Sequence, residues 1–471
     1  MFHTVVDEGL DSLHDACGVM GISSEEEINI PQKLFYGLFS LQHRGQESAG
    51  IAYWRHGRIK AYRDVGMVTN ALSHYLEEDH PARMGIGHVR YSTHGGNKIE
   101  NAQPIAITCN KGEIALGHNG TISNSRDLLS RLSAEGSIFQ STTDTELLLH
   151  LIARSPRNAF REALTDSLGL LEGAYCFLMM HNDTMVAVRD PLGIRPLVMG
   201  RVGDMVLIAS ETCALDAFQP EEISEIEPGE MVTVEGMRTR REQVLPCGRR
   251  AHCIFELIYF ARPDSSVFGY SVHMARKRMG EALARDERNA CDLVIAVPDS
   301  GNSAALGYAA SSGIPLEHGL TRNHYMGRTF IQPTKALREF GVRMKLHPVR
   351  EAITGRRIAV IDDSLVRGTT SRLLVKLLRD AGAREVHLRL SSPALRFPCF
   401  YGIDIPTSEE LISNRLNPEE LADFIGADSV RFLSIDALRA CVSNPADFCT
   451  ACFTGDYPCP VRAGPAGKGC A

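Results

Sequence analysis

The stretch Ile358-Ala359-Val360-Ile361-Asp362-Asp363-Ser364-Leu365-Val366-Arg367-Gly368-Thr369-Thr370-Ser371 constrains the fold of this chain more than any other. Its apolar, β-branched start reads as a strand of a parallel sheet, buried on both faces. The acids follow at the strand's carboxyl end, where open α/β sheets bind their ligands. Gly368 permits a tight turn, and Thr369, Thr370 and Ser371 offer hydroxyls and amides at the start of the next helix, which favours an anion. Acids that can accept from hydroxyls, set beside a phosphate cradle, suit a phosphorylated sugar.

The rest of the chain sorts into two halves. From about Cys17 to Arg249, short alternating segments and glycine turns predominate, with strands expected at 85–91, 113–118, 175–180 and 205–209. One helix is marked there by a capping-box pair, Thr143 and Glu146, ahead of Leu147, Leu148, Leu149, Leu151 and Ile152. From about Ala251 the pattern becomes strand, helix, strand: a strand over 293–297, a helix over 304–310, the strand at Ile358, a helix over 370–381 and a strand over 386–390. That alternation predicts βαβ units around a parallel sheet. At 471 residues the chain is too long for one core. The expected division is a leader over 1–16, domains over 17–250 and 251–457, and a loosely ordered tail over 458–471.

No apolar run is long enough for a membrane helix. The first fifteen residues carry Asp7, Glu8, Asp11 and Asp15 and no Lys or Arg, unlike a secretory or mitochondrial signal, so a cytoplasmic location is expected. A net charge of −7 argues against general nucleic-acid binding. Thirteen cysteines without a secretion signal suggest reactive or metal-bound thiols before disulfides. Cys109, Cys176, Cys213 and Cys291 read as small buried hydrophobes.

The amino-terminal half holds, in order, Asp15-Ala16-Cys17-Gly18, Leu41-Gln42-His43-Arg44-Gly45, Gly87-His88-Val89-Arg90-Tyr91-Ser92-Thr93, Gly117-His118-Asn119-Gly120 and Thr143-Asp144-Thr145-Glu146. Singly, Arg90 could be a solvated strand charge, Asp144 an acid at a helix start and Asn119-Gly120 a hairpin turn. Together they resemble the glutaminase domain of the amino-terminal-nucleophile (class II) amidotransferases, an αββα sandwich. The resemblance implies Cys17 as nucleophile, with its own α-amine as base once Met1 to Ala16 are removed; such an amine titrates at about 7.7–8.0. It implies Asn119 and Gly120 as oxyanion donors, Arg90 with Thr93 as clamp for the glutamine carboxylate, Asp144 as ammonium acceptor, and Arg44 and Gly45 as further lining.

The strand-turn-helix at Ile358 resembles the 5-phosphoribosyl-1-diphosphate (PRPP) loop of the type I phosphoribosyltransferases, and Val297-Pro298-Asp299-Ser300-Gly301-Asn302-Ser303 is a second phosphate-facing loop. Ser300, Asp362 and Asp363 are expected near Mg²⁺ and the ribose, and Arg367, Gly368, Thr369 and Thr370 around the 5-phosphate. Between Arg322 and Arg350 lies a basic stretch containing Arg328 and Lys345, with Glu339 its single acid. It is expected to close over pyrophosphate as a lid.

Taken whole, the chain is similar to the glutamine PRPP amidotransferases. Membership would imply a glutamine-dependent amination of PRPP, ammonia passed between two sites, feedback by purine nucleotides and a homotetramer. Cys253, Cys399, Cys449 and Cys452 resemble the ligand set of the family's iron–sulfur subgroup, a [4Fe-4S] cluster. Zinc in a Cys₄ site is its physical rival, and Cys441, Cys459 and Cys470 lie close enough to compete as ligands. A different partner domain, such as a sugar isomerase or an ATP pyrophosphatase, would not need the loop at Ile358. A PRPP-sensing regulator would not need Cys17, Asn119 and Asp144 together.

Overall fold

The computed structural model describes residues 17–76, 79–91, 98–285, 290–323 and 344–460. Its amino-terminal half is built on two antiparallel sheets. Seven strands run in the order 222–225, 198–202, 205–209, 18–29, 81–90, 48–55 and 58–65. Six run in the order 238–243, 230–235, 184–189, 173–181, 112–122 and 105–109. Side chains alternate across each strand, so each sheet has two faces to bury.

The inner faces meet in a core of Val19, Ile86, Ala115, Leu178, Met180, Ala187, Ile208 and Val232. On the outside of the first sheet, Met20, Ile22 and Leu207 pack with Leu34 and Leu38 of helix Ile30–Ser40. On the outside of the second, Leu116, Phe177 and Val188 pack with Leu148 and Ile152 of helix Thr145–Arg154 and Leu164 of helix Phe160–Leu168. The result is the four-layer αββα sandwich the motifs imply.

The capping box does not form. Asp144, not Thr143, flanks the helix, with no side-chain cap, and the Glu146 carboxylate instead accepts from the amides of Gln140 (2.9 Å) and Ser141 (2.7 Å). Glu146 therefore holds the loop before the helix, because that loop supplies closer donors than the helix end.

In the carboxyl-terminal half, four parallel strands stand in the order Leu293–Ala296, Arg357–Asp362, Glu385–Leu390 and Ser429–Phe432. Both faces are covered, as an all-parallel sheet requires. Ala359 and Ile361 face helices Val272–Ala284 and Asn302–Ser312, while Ile358 and Val360 face helices Thr369–Asp380 and Pro418–Ile425. The predicted strands and helices are all present here. Residues 324–343, which hold Arg328 and most of the basic stretch, lie outside the described residues; its flanks Leu320–Arg322 and Leu346–Pro348 pair as an antiparallel ribbon. The expected tail is partly fixed: Tyr457 Oη donates to the Pro398 carbonyl (2.8 Å), and the Cys459 amide donates to Tyr401 Oη (3.1 Å). Among the described residues no helix is long and apolar enough to cross a membrane.

Candidate active sites

Cys17 immediately precedes the strand Gly18–Asn29, whose register sets Gly18 opposite Val89, so that the neighbouring strand ends on Arg90 beside the nucleophile. The Cys17 thiol lies 3.5 Å from the Tyr91 carbonyl. Burial raises its pKa, Arg90 partly opposes that, and Asp144 and Glu47 add to it. Arg90 and Asp144 therefore lie within electrostatic reach of the Cys17 sulfur, and Asn119 stands on a strand of the facing sheet.

Asn119 and Gly120 sit on strand Gly112–Ile122, with Asn119 fully buried. Asn119 Nδ2 points to Ser210 Oγ at 3.3 Å, and that oxygen also accepts from the Val19 amide at 3.0 Å. Ser210 is thus a bridge between the strand that follows Cys17 and the Asn119 side chain, and sequence reasoning missed it. Gly120 has φ +145°, and a Cβ there would stand 2.2 Å from the Ala174 carbonyl oxygen, so only glycine fits. Asp144 accepts from the Ile122 amide at 2.8 Å and stands 3.6 Å from His118 Nδ1. Thr93 lies outside the described residues.

Arg44 is buried. Its Nε donates to the Cys17 carbonyl at 3.2 Å, and its terminal nitrogens bind Glu211 and both oxygens of Glu256 (2.6 and 3.0 Å). Burial alone would lower the guanidinium pKa, but these carboxylates raise it. Arg44 thus holds the Cys17 backbone and ties it to Glu211 and Glu256. Gly45 packs on Arg90, where a Cβ would come within 2.6–2.8 Å of the Arg90 backbone.

His88 sits two residues before Arg90 and is fully buried, with Nε2 2.9 Å from the His118 carbonyl, so Nε2 carries the proton. Burial pushes its pKa down to about 3. The unfolded chain then binds one proton more than the folded chain between about pH 6.5 and pH 3, and stability falls as pH drops through that window. Replacing His88 by Gln keeps a donor and removes the titration. Between pH 6.5 and 5 the wild type should therefore lose about 2 kcal/mol more than His88→Gln, read from denaturant midpoints at each pH. Parallel losses would contradict a neutral His88.

The second centre forms at the carboxyl ends of the parallel strands. Asp362 ends its strand and accepts from the Asp363 amide (2.9 Å) and from Ser300 Oγ (3.4 Å). Burial first, and then the Asp363 charge, push the Asp362 pKa well up. Asp363 bonds to Ser364 Oγ. Gly368, at φ +78°, turns the chain into helix Thr369–Asp380, leaving Thr369 exposed at its first turn and Thr370 half-buried beside it. Arg367 pairs with Glu410 at 2.9 Å. Lys345 is exposed, and its carbonyl accepts from the Asn323 amide at 2.9 Å. Two neighbours were not legible in sequence: half-buried Tyr259, whose pKa is raised by burial and by Asp363 and Asp362, and buried Arg276, whose pKa burial lowers and Asp363 partly restores.

Cys253, Cys399, Cys449 and Cys452 line one cavity of about 20 Å³, with Arg195, Phe255, Tyr401 and Tyr457. Cys253 and Cys449 stand opposite each other on a short parallel pair of strands. Burial raises all four thiols, Cys449 to about 12. Among the described residues no three His, Cys, Asp or Glu side chains already converge as a metal site. Cys441 lies apart, its thiol 3.1 Å from the Ala437 carbonyl. Cys176 and Cys213 are buried as expected, whereas Cys109 and Cys291 are only half-buried.

Residues 88–217 match the model of the glutamine amidotransferase domain family. Joined to strand-end acids on a parallel sheet, that match defines the class: a glutamine amidotransferase coupled to a phosphoribosyltransferase. The chain is 47% identical to the amidophosphoribosyltransferase of Bacillus subtilis over 95% of each chain, and 43% identical to that of Methanocaldococcus jannaschii over 95% of this chain and 98% of the relative. The solved B. subtilis glutamine PRPP amidotransferase, complexed with ADP and GMP, superposes with a TM-score of 0.89 at 46% identity, covering 95% of this chain and 98% of that one. The chain belongs to the amidophosphoribosyltransferase family.

Proposed function

We propose that this chain transfers the amide nitrogen of glutamine to C1 of PRPP, giving 5-phosphoribosylamine, glutamate and pyrophosphate, the first step of purine biosynthesis. The observation that carries this reading is the presence, in one chain, of Cys17 amid Arg90, Asn119 and Asp144 and of Asp362 hydrogen-bonded by Ser300 beside a Gly368 turn.

Cys17 Sγ attacks the glutamine amide carbon, and the thiol proton passes to the α-amine and then to the departing nitrogen. Asn119 Nδ2 and the Gly120 amide receive the developing oxyanion, Arg90 the substrate carboxylate and Asp144 its ammonium. Water then cleaves the thioester to glutamate. At the second centre the freed ammonia forms a bond to C1 while the bond from C1 to the pyrophosphate oxygen breaks. Asp362 and Asp363 accept from the ribose hydroxyls. Thr369, Thr370 and the helix start receive the 5-phosphate, and Arg328 and Lys345 meet pyrophosphate from the lid. Closure of that lid would keep ammonia from protonation and escape as it passes between the sites.

Mg²⁺ fits Ser300, Asp362 and Asp363, an all-oxygen set in which burial first, and then the Asp363 charge, disfavour an ionised Asp362, a cost that a bound cation would relieve. When bound, it would neutralise charge on the leaving pyrophosphate. The four cysteines at one cavity fit a [4Fe-4S] cluster. Burial penalises each thiolate there, a cost that metal ligation offsets, and Arg195 supplies a neighbouring cation. The cluster would tie the segment around Cys449 and Cys452 to the strand at Cys253. Anaerobically purified protein should hold about four irons per chain, and Cys452→Ser should reduce that below about one and lower stability by several kcal/mol. One zinc per chain would replace this assignment. A homotetramer in the cytoplasm, with purine nucleotides as feedback ligands, completes the reading; the relative solved with ADP and GMP supports the last part.

Release of glutamate that depends on PRPP is the direct assay, and its absence would sink the proposal.

A further inference from the structure

Two buried arginines and two buried glutamates lie between Cys17 and the cysteine cavity: Arg44, Arg195, Glu211 and Glu256, each at most 1% exposed. Such charges are costly unless fully matched, so their arrangement is informative. Arg195 Nη1 donates to Glu256 Oε1 at 3.0 Å, the same oxygen that accepts from Arg44 Nη2 at 2.6 Å. Arg44 in turn holds the Cys17 carbonyl. On its other side, Arg195 donates through Nε and Nη2 to the Tyr401 carbonyl at 3.2 and 3.1 Å. Arg195 also lines the cysteine cavity, and Cys253 and Cys399 act on its charge.

Tyr401 is followed by Gly402, at φ +98°. A Cβ on Gly402 would lie 3.1 Å from the Gly120 carbonyl carbon, 3.2 Å from Gly120 Cα and 3.0 Å from Arg195 Nη2. The loop that carries Cys399 therefore rests on the oxyanion glycine itself, with Arg195 clamping it there. One guanidinium holds both halves of the glutaminase centre: the nucleophile's backbone through Glu256 and Arg44, and the oxyanion backbone through Tyr401 and Gly402.

We propose that Arg195 and Glu256 are positioning residues of the glutaminase centre, seating Arg44 behind Cys17 and pressing the cysteine-bearing loop Cys399–Ile403 against Gly120. The inference rests on the glutaminase reading of Cys17. Neither residue touches substrate, so their loss should act on kcat more than on the glutamine KM. A displacement of about 1 Å in an oxyanion donor costs roughly ten- to a hundredfold in rate.

The test uses the full chain with its metal content intact and compares two nitrogen sources at saturating PRPP. Arg195→Lys keeps the charge but cannot bind Glu256 and the Tyr401 carbonyl together. Gly402→Ala leaves every charge in place and adds a methyl group against Gly120. In either variant, glutamine-dependent kcat should fall at least about tenfold, with the glutamine KM within about threefold and ammonia-dependent kcat within about twofold. If Arg195→Lys does not fold or loses its iron, Gly402→Ala decides. Parallel loss with both nitrogen sources would mean a structural role only, and unchanged glutamine turnover would mean no role; either overturns the proposal. A wild type that uses neither nitrogen source would instead defeat the functional reading beneath it.

Discussion

Cys17→Ala should abolish glutamine-dependent synthesis while ammonia-dependent synthesis survives. The side chain lost is the one proposed to form the thioester, and removing a nucleophile from an assembled constellation costs roughly 10⁴-fold or more. Among the described residues, no hydrogen bond joins the parallel-sheet centre to the Cys17 sulfur. Its contacts run to Tyr91, and its electrostatic partners are Arg90, Asp144 and Glu47. Substitutions at distant, independent sites leave one another's energetics nearly unchanged, so turnover with ammonium should stay within about twofold. The measurement is pyrophosphate release with each nitrogen source in turn. Equal loss with both would mean that the two centres are one. The same reasoning demands a mature chain beginning at Cys17, because an acylated α-amine cannot accept the thiol proton. Sequencing the native amino terminus checks it, and active enzyme still starting at Met1 or Phe2 would contradict the mechanism.

Asp362→Asn should show the opposite pattern, with both nitrogen sources failing together. Burial and the Asp363 charge push the Asp362 pKa well up, so burial disfavours the charged form there and the neutral amide isostere should fold normally. Ribose hydroxyls and Mg²⁺ favour the ionised form, and only the native residue can supply it. Loss of that charge at the reacting sugar should lower glutamine- and ammonia-dependent kcat alike, on the order of 10²–10³-fold. A corollary follows from the raised pKa: binding of PRPP and Mg²⁺ should release a proton, and the released amount should shrink in Asp362→Asn. Calorimetry in buffers of different ionisation enthalpy reads it. A variant that loses only the glutamine reaction would misplace the acid pair.

Much of this architecture was legible because local pattern and tertiary role agree. The apolar run at Ile358 is a central parallel strand, and its acids stand at the strand's carboxyl end. The motifs name Cys17, Arg90, Asn119 and Asp144; strand register sets Arg90 beside Cys17, and the charge of Asp144 reaches its sulfur. The misreadings share a cause. Thr143 and Glu146 match a capping box by spacing, yet a loop with nearer amides takes the glutamate. Nor does the motif around Arg44 reveal that Glu211 and Glu256 take up its guanidinium. Ser210, Glu211, Arg195 and Glu256 went unnamed because their partners are distant in sequence. A signal did exist for Glu256: it is a lone charge within Ile254-Phe255-Glu256-Leu257-Ile258, where an unmatched carboxylate would be prohibitive. Such a charge announces a buried partner without saying which.

The central claim is that one chain moves nitrogen from glutamine to PRPP without releasing it. The most direct measurement supplies glutamine labelled with ¹⁵N at the amide, together with PRPP, Mg²⁺ and an excess of unlabelled ammonium, and follows the label into 5-phosphoribosylamine. The account predicts product that keeps the amide label, with glutamate and pyrophosphate formed one for one. Product diluted to the isotope ratio of the bulk ammonium, or glutamate formed at the same rate without PRPP, would contradict it.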